Sequence, residues 1–460
     1  MAMKRTAIIN IVGLTNSLIT QQTPAILKYQ QNSDTHIIKP TFPALTCPAQ
    51  STYLTGVTPS EHGIVGNGWY DREYSETRFW KQSNQLVRSP KLWENIRKIY
   101  PNYTCAKLFW WYNMYSTADY TITPRPLYPA DGRKIFDIHT HPMNLREKIK
   151  KSIGEFPFPQ FWGPLAGIKS SQWIANAAQW IEESFQPHLS LIYLPHLDYN
   201  FQRFSPNHPE SQQSLREIDQ TVGSLLSFFQ NRHIQVVLLS EYGITQVDQP
   251  IAINRILRKN NWIRIKKELG REYIDYGSSP AFALPDHQIA HLYINDPTQR
   301  KKIKNTLEKT PGIAQVLDQQ EKKSLHIAHP RAGDLVAVAH PRAWFHYYYW
   351  WDATKAPDYA KCVDIHRKPG YDPVELFFDP DRSWLKLQIL SKLLKKKLGF
   401  RTLMDFIPID ATLIKGSHGL IPQEQSNWPI LIGPKKEKNK PHSPIFATDV
   451  YHKLWNYIVQ

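Results

Sequence analysis

The sequence predicts an α/β fold, a mostly parallel sheet with helices on both faces and a small α+β cap inserted late in the chain. Three observations carry this. Short continuous apolar runs, TAIINIV at 6–12, LSLIYL at 189–194 and IQVVLL at 234–239, suit strands buried on both faces. Amphipathic helical stretches separate these runs, the alternation expected when crossovers join parallel strands. The block 281–338 differs in texture: HLYIND, QRKKIKNTLEKT, GIAQVLD and GDLVAVA read as strand, helix, strand and strand. Residues 1–280 and 339–460 are therefore expected to form the core, and 281–338 the cap.

The first apolar run closes at Gly13. Residues 41–71, TFPALTCPAQSTYLTGVTPSEHGIVGNGWYD, read as a loop that turns into a short helix. Pro43 punctuates the loop, Thr46 suits an N-cap, Pro48 falls in the first turn where a missing N–H is tolerated, and Gly56 ends the helix. A hydroxyl at such a terminus faces unpaired N–H groups and the positive end of the helix dipole. That setting favours an alkoxide or a phosphate oxygen.

KLWENIRKIY (91–100) reads as a helix and AKLFWWY (106–112) as a strand. Residues 120–170, rich in Pro, Gly and aromatics, read as loops around a cleft entrance. SQWIANAAQWIEES (171–184) puts Trp173, Ala177, Trp180 and Ile181 on one helical face. The strand 189–194 then runs into PHLDYNFQRFSP. Catalytic groups in open parallel sheets gather beyond the carboxyl ends of strands, which singles out Asp198. The clearest helix is 209–230, with Leu215, Ile218, Val222, Leu225, Leu226 and Phe229 as one stripe. The strand 234–239 ends in Ser240-Glu241-Tyr242-Gly243, where the Tyr242 phenol can hydrogen-bond a phosphate.

In VDIHRKPGYDP, Asp364 and His366 are two apart. In an extended segment they share a face and form a credible ligand pair, and Arg367 and Lys368 beside them suit a phosphate. SWLKLQILSKLLKKKLG (383–399) reads as an amphipathic helix stopped by Gly399, its lysine-rich end meeting solvent or anionic lipid. KKEKNK (435–440) reads as a surface loop.

The chain's 460 residues suffice for one large α/β domain with an insertion, or for two domains. Its 41% hydrophobic and 21% charged residues describe an ordinary soluble globular protein. The 15 tryptophans fill a large core or line a cleft for something flat or apolar. Lys and Arg number 56 against 40 Asp and Glu, a net +16. With no nucleic-acid-binding motif present, that charge suits an anionic small molecule or peripheral contact with a membrane. Three scattered cysteines argue against a disulfide framework. The first apolar run lacks a small-residue cleavage site and reads as a strand, not a signal peptide. No segment approaches the roughly 20 apolar residues of a membrane helix. The expected address is cytoplasmic.

From Thr46 onward the sequence resembles the nucleophile segment of the nucleotide pyrophosphatase/phosphodiesterase branch of the alkaline phosphatase superfamily. Its residues are Thr46, Cys47-Pro48, Thr55-Gly56 and Pro59-Ser60-Glu61-His62-Gly63-Ile64-Val65-Gly66-Asn67, without a gap. The resemblance implies an alkaline-phosphatase-like core, Thr46 as nucleophile and Asn67 as a donor to a phosphoryl oxygen. It also implies two zinc ions, of which Asp198, Glu241 and His418 (in Lys415-Gly416-Ser417-His418-Gly419) would be ligands. Three ligand positions depart from the family pattern: Val12 stands for an Asp, Gln202 for a His and Tyr242 for a His.

Three readings are open on these residues. One is a phosphodiesterase or pyrophosphatase with a Thr nucleophile, acting on an anionic phosphate ester with one divalent metal, zinc or manganese, or with a site rebuilt from Asp364 and His366. Another is a catalytically impaired relative that binds a phosphorylated or lipid-like ligand. The third is a phosphotransferase of the same superfamily, in which Thr46 passes the phosphoryl group to an acceptor other than water.

Overall fold

The computed structural model describes residues 3–434 and 443–459; the lysine-rich stretch 435–440 lies outside the described residues. Along the chain the strands that set the architecture are β1 (Thr6–Ile11), β2 (Asp34–Lys39), β3 (Cys105–Leu108), β4 (Tyr120–Pro124), β5 (Ile138–His141), β6 (Leu189–Leu194) and β7 (Gln235–Leu239). There follow β8 (Ala281–Asp286), β9 (Ile289–Ile294), β10 (Ile313–Leu317), β11 (Leu335–Ala339), β12 (Ile430–Gly433) and β13 (Ile445–Phe446). The helices used below are α1 (Thr46–Thr55), α2 (Ile168–Phe185), α3 (His196–Phe204), α4 (Pro209–Gln230), α5 (Arg300–Glu308), α6 (Leu385–Lys397) and α7 (Asp449–Val459).

A nine-stranded sheet runs in the order β13–β2–β12–β7–β1–β6–β3–β4–β5. β1 pairs in parallel with β6 on one side and β7 on the other, and β3 is parallel to β6 and β4. Antiparallel neighbours enter only toward the two ends, at β12 and β5. Every residue of β1 and β6 is buried, so these strands read as unbroken apolar runs rather than as alternations. The helix α4 packs with α2 in one group, and α7 packs on α1 in another. Gly56 ends α1 at φ 73°, and a Cβ there would lie 2.9 Å from the Tyr451 ring of α7. Glycine is needed at that point for both reasons.

The second sheet, β8–β9–β11–β10, is antiparallel throughout, with α5 inserted between β9 and β10. It belongs to a separate apolar cluster that reaches beyond it. Val247, Ile253 and Trp262 join from one side, and Trp344, Tyr347 and Trp350 from the aromatic run that follows.

Two local expectations change. The stretch 120–170 is not loop alone: it holds β4, β5 and a helix at Leu145–Ile153. These two strands close one end of the sheet, and runs of four or five residues cut by Pro124 and Pro142 leave no sustained period to read. The residues around Asp364 and His366 form a turn rather than an extended segment, so the two-residue spacing does not put them on a common face.

Candidate active site

β6 and β7 flank β1, and the chain leaving each carries a polar group to the same end of the sheet. β6 delivers Asp198 in the first turn of α3, and β7 delivers Glu241 and Tyr242. Thr46 meets them from α1. The extended residue Leu45 (φ −129°, ψ 155°) is the N-cap, so Thr46 is the first helical residue and its hydroxyl is not spent on capping. Instead Thr46 Oγ1 and the Tyr242 hydroxyl lie 3.0 Å apart. The Tyr242 hydroxyl in turn donates to Asp198 Oδ1 at 3.3 Å. Thr46, Tyr242 and Asp198 thus form one hydrogen-bonded line.

The i, i+4 spacing on α3 sets Gln202 beside Asp198, and its amide donates to Oδ2 at 2.8 Å. Tyr371 then donates to Gln202 Oε1 at 2.8 Å. His418 has Nδ1 2.8 Å from the Ala44 carbonyl and Nε2 3.9 Å from Asp198 Oδ1. Its ring lies flat on Tyr242 at 3.7 Å and 7°, and His287 sits 3.7 Å away, itself stacked on Tyr371 at 3.8 Å. Four rings therefore stand in file behind the Thr46 hydroxyl.

Glu241 is fully buried, and its Oε1 accepts from Asn10 at 2.5 Å and Gln50 at 2.6 Å. Asn67 does not hang free. Its Oδ1 accepts from the Cys47 N–H at 3.1 Å, while its backbone N–H and Nδ2 donate to the Asp286 carboxylate at 2.8 and 3.1 Å. The expected collar of unpaired N–H groups is narrower than the sequence suggested, because Asn67 takes the one on Cys47 and Pro48 has none. One amide hydrogen of Asn67 is left over for a ligand.

Burial governs the charges. It pushes the Asp198 carboxyl up to about 7 against hydrogen bonds from Tyr242 and Gln202. Glu241 rises to about 8 for the same reason, against bonds from Gln50, Asn10 and Thr46, and Asp286 to about 7 against its bonds from Asn67. Burial lowers His418 to about 3 and takes His287 well below the usual range. Both imidazoles are neutral at pH 7.

The remaining expected site residues do not join this group. Asp364 accepts from Arg367 at 2.6 Å, and His366 Nδ1 lies 3.2 Å from the Phe79 carbonyl. Arg367 also reaches Asp358, at 3.4 Å. Lys368 is wholly buried between Asp372 and Glu375, 2.7 Å from each, which leaves it no reach to a phosphate. Conversely, Asn10, Gln50, Asp286, His287 and Tyr371 were not read as site residues. Asp286 and His287 do follow an apolar tetrapeptide, Ala281–Leu284, as the other site residues follow theirs, but the cap-like texture of the block hides that signal.

A two-zinc centre does not fit these donors. Of the positions the family resemblance implies for the first ion, Asp198 and His418 keep donor side chains and Gln202 is a hydrogen-bonding partner of Asp198. Of those it implies for the second, Glu241 keeps a carboxylate with Asn10 on its Oε1, Val12 is a fully buried hydrocarbon, and Tyr242 bonds Asp198 and stacks on His418. A catalytic zinc keeps three protein ligands. Among the described residues no group of three or more His, Cys, Asp or Glu could hold a metal ion. Glu241 Oε2 and His418 Nε2 are buried without a hydrogen-bond partner, one such atom at each implied position.

The same architecture is found in solved structures. Phosphonoacetate hydrolase from Sinorhizobium meliloti, in complex with phosphonoformate, superposes with a TM-score of 0.62 at 13% identity, covering 99% of this chain and 96% of that one. Murine ectonucleotide pyrophosphatase/phosphodiesterase 5, an inactive threonine-to-alanine variant in complex with AMP, gives 0.59 at 14% identity over 99% and 94% of the two chains. In sequence, an uncharacterised pyrophosphatase/phosphodiesterase of Schizosaccharomyces pombe is 25% identical over 54% of this chain and 46% of its own length. Ectonucleotide pyrophosphatase/phosphodiesterase 1 of Saccharomyces cerevisiae is 23% identical over 70% of this chain and 45% of its own length. The chain thus spans about half the length of the curated relatives it matches. The model of the type I phosphodiesterase/nucleotide pyrophosphatase family matches residues 6–372, which takes in β1, the Thr46–Asn67 segment, Asp198, Glu241, Tyr242 and the second sheet. With that match lying over this fold and this site, the chain belongs to the type I phosphodiesterase/nucleotide pyrophosphatase family.

Proposed function

We propose that the chain hydrolyses a phosphodiester or pyrophosphate bond in an anionic small molecule, with Thr46 as the nucleophile. The observation that carries this is the line from Thr46 through the Tyr242 hydroxyl to Asp198. Hydroxyl attack on phosphorus needs somewhere for the proton to go. Thr46 Oγ1 bonds to phosphorus and the bond to the leaving oxygen breaks. The Thr46 proton moves to the Tyr242 oxygen while the Tyr242 proton moves to Asp198. Water then attacks the phosphothreonine and gives up one proton to solvent, the bond to Oγ1 breaks, and the proton held on Asp198 returns along the same line to Oγ1. The leaving group departs as an anion and takes a proton from solvent. The spare amide hydrogen of Asn67, held in place by Asp286, and the α1 terminus favour the negative charge on the transferring oxygens. In this reading 281–338 is the cap, because β8 carries Asp286 to Asn67. No step is routed through a metal, since the donor set does not fit one.

The loss of three ligand positions supports a second reading, a protein that binds a phosphate ester without turning it over. Hydrolysis of an activated nitrophenyl phosphodiester separates the two. Turnover that disappears in Thr46→Ala and survives in Thr46→Ser supports the hydrolase. Saturable binding with no turnover supports the binder.

A further inference from the structure

The helix α6 is turned inside out relative to the other long helices. None of its residues is buried. Leu385, Gln388, Ile389 and Lys392 recur at helical spacing as its partly covered face, and Lys392 pins it to the protein through the Leu403 carbonyl and Asp405. On the opposite face Leu387, Leu390, Leu394 and Leu398 recur every three or four residues, between 53% and 75% exposed. Lys386 and Lys397 border that apolar stripe on one side and Lys395 on the other. Trp384 is exposed ahead of the stripe and Phe400 behind it. Between Asp381 and Asp405 the chain has no acidic residue.

This surface continues onto a second segment. Arg401 Nε donates to the Asp131 carbonyl at 3.2 Å, which joins the end of the helix to the loop that exposes Tyr128 and Phe136. Lys134 stands over both of those rings, at 6.0 and 5.8 Å. Trp and Phe at the margins, leucines along the middle and lysines at the flanks are the composition that settles in the headgroup region of a bilayer. There the apolar side chains enter the acyl boundary and the ammonium groups remain with the phosphates.

We propose that this face, α6 with the 127–136 loop, docks the protein on a lipid surface that carries anionic headgroups. The charge selects this occupant. A second copy would bring the same basic stripe against itself: 382–404 has no acidic residue, and Asp131 of the loop is already paired with Arg133 at 2.6 Å. A neutral bilayer would satisfy the leucines and leave the lysines unmatched. Docking here is independent of whether Thr46 turns over substrate.

Co-sedimentation of the full chain with vesicles tests this, using phosphatidylcholine alone and phosphatidylcholine mixed with phosphatidylglycerol. The proposal expects binding to the mixed vesicles about tenfold or more above that to the neutral ones, weakening as salt is raised. Leu390→Glu/Leu394→Glu should abolish the binding and Lys395→Gln/Lys397→Gln should reduce it, with melting temperature and any phosphodiester turnover unchanged, since these side chains are exposed. Quenching of tryptophan fluorescence by brominated lipid should fall in Trp384→Phe. Absence of binding to anionic vesicles overturns the proposal, as does binding that survives both double variants. A concentration-dependent dimer that the leucine variant dissolves would assign the stripe to a second copy instead.

Discussion

The two halves of the Thr46 site match the family resemblance to different degrees. The half built on α1 and the following loop carries the gapless resemblance from Thr46 to Asn67, with Asn67 bonded to Cys47 and Asp286 and Gln50 to Glu241. The half built on α3 and the end of β7 carries Gln202 and Tyr242 where the family resemblance implies imidazoles. Both replacements are fully integrated, Gln202 between Asp198 and Tyr371, Tyr242 between Thr46 and Asp198 with its ring on His418. The contrast teaches that the positions departing from the family resemblance are occupied by bonded side chains. One of them touches the nucleophile. The proposed chemistry follows from that contact.

Several variants break or sharpen this contrast. Replacing Thr46 by Ala should lower phosphodiester turnover by at least about a thousandfold, because nothing else at the site supplies a hydroxyl at that point. Tyr242→Phe keeps the ring on His418 and removes only the link to Asp198; a loss of about a hundredfold in kcat, measured against an unchanged fold by circular dichroism, is expected of a lost proton path. An unchanged rate would assign Thr46's activation elsewhere. Gln202→His would add a third donor to Asp198 and His418, and should raise zinc content toward one ion per chain by elemental analysis. Failure to take up zinc would mean that Tyr242 blocks the position.

The smallest expected effect concerns stability and pH. Asp286 is fully buried with its carboxyl raised to about 7. A raised acid binds its proton more tightly folded than unfolded. Its contribution is therefore fully present below the ordinary Asp value of about 3.9 and is lost as pH rises toward 7. Melting temperature should fall across that window, and Asp286→Asn should flatten the fall. A variant with the same pH dependence as the parent would show that the carboxyl does not titrate as described.

Legibility in the sequence followed burial. β1, β6 and β7 were readable because both faces are covered and apolar residues run unbroken. α4 was readable because one face alone is buried over 22 residues. β4 and β5 were not, being short and proline-flanked at the end of the sheet. Thr46, Asp198, Glu241, Tyr242 and His418, which the structure brings together, stand in segments that resemble family motifs, and Asp198 and Tyr242 also follow apolar runs. Asp286 and His287 act through contacts with residues more than a hundred positions away, Asn67 and His418, and no local pattern announces such a pairing. The same-face argument for Asp364 and His366 lapses for the converse reason. A two-residue spacing has meaning only in an extended backbone, and here the backbone turns.

The central claim is that Thr46 is served by a side-chain relay rather than by a two-ion centre. Metal content of the untagged protein, determined by elemental analysis on the same sample whose phosphodiester turnover is followed before and after dialysis against a chelator, tests it most directly. The account predicts well under about one equivalent of transition metal per chain and turnover that chelation leaves unchanged. About two equivalents of zinc, with turnover lost on chelation and restored by zinc, would contradict it.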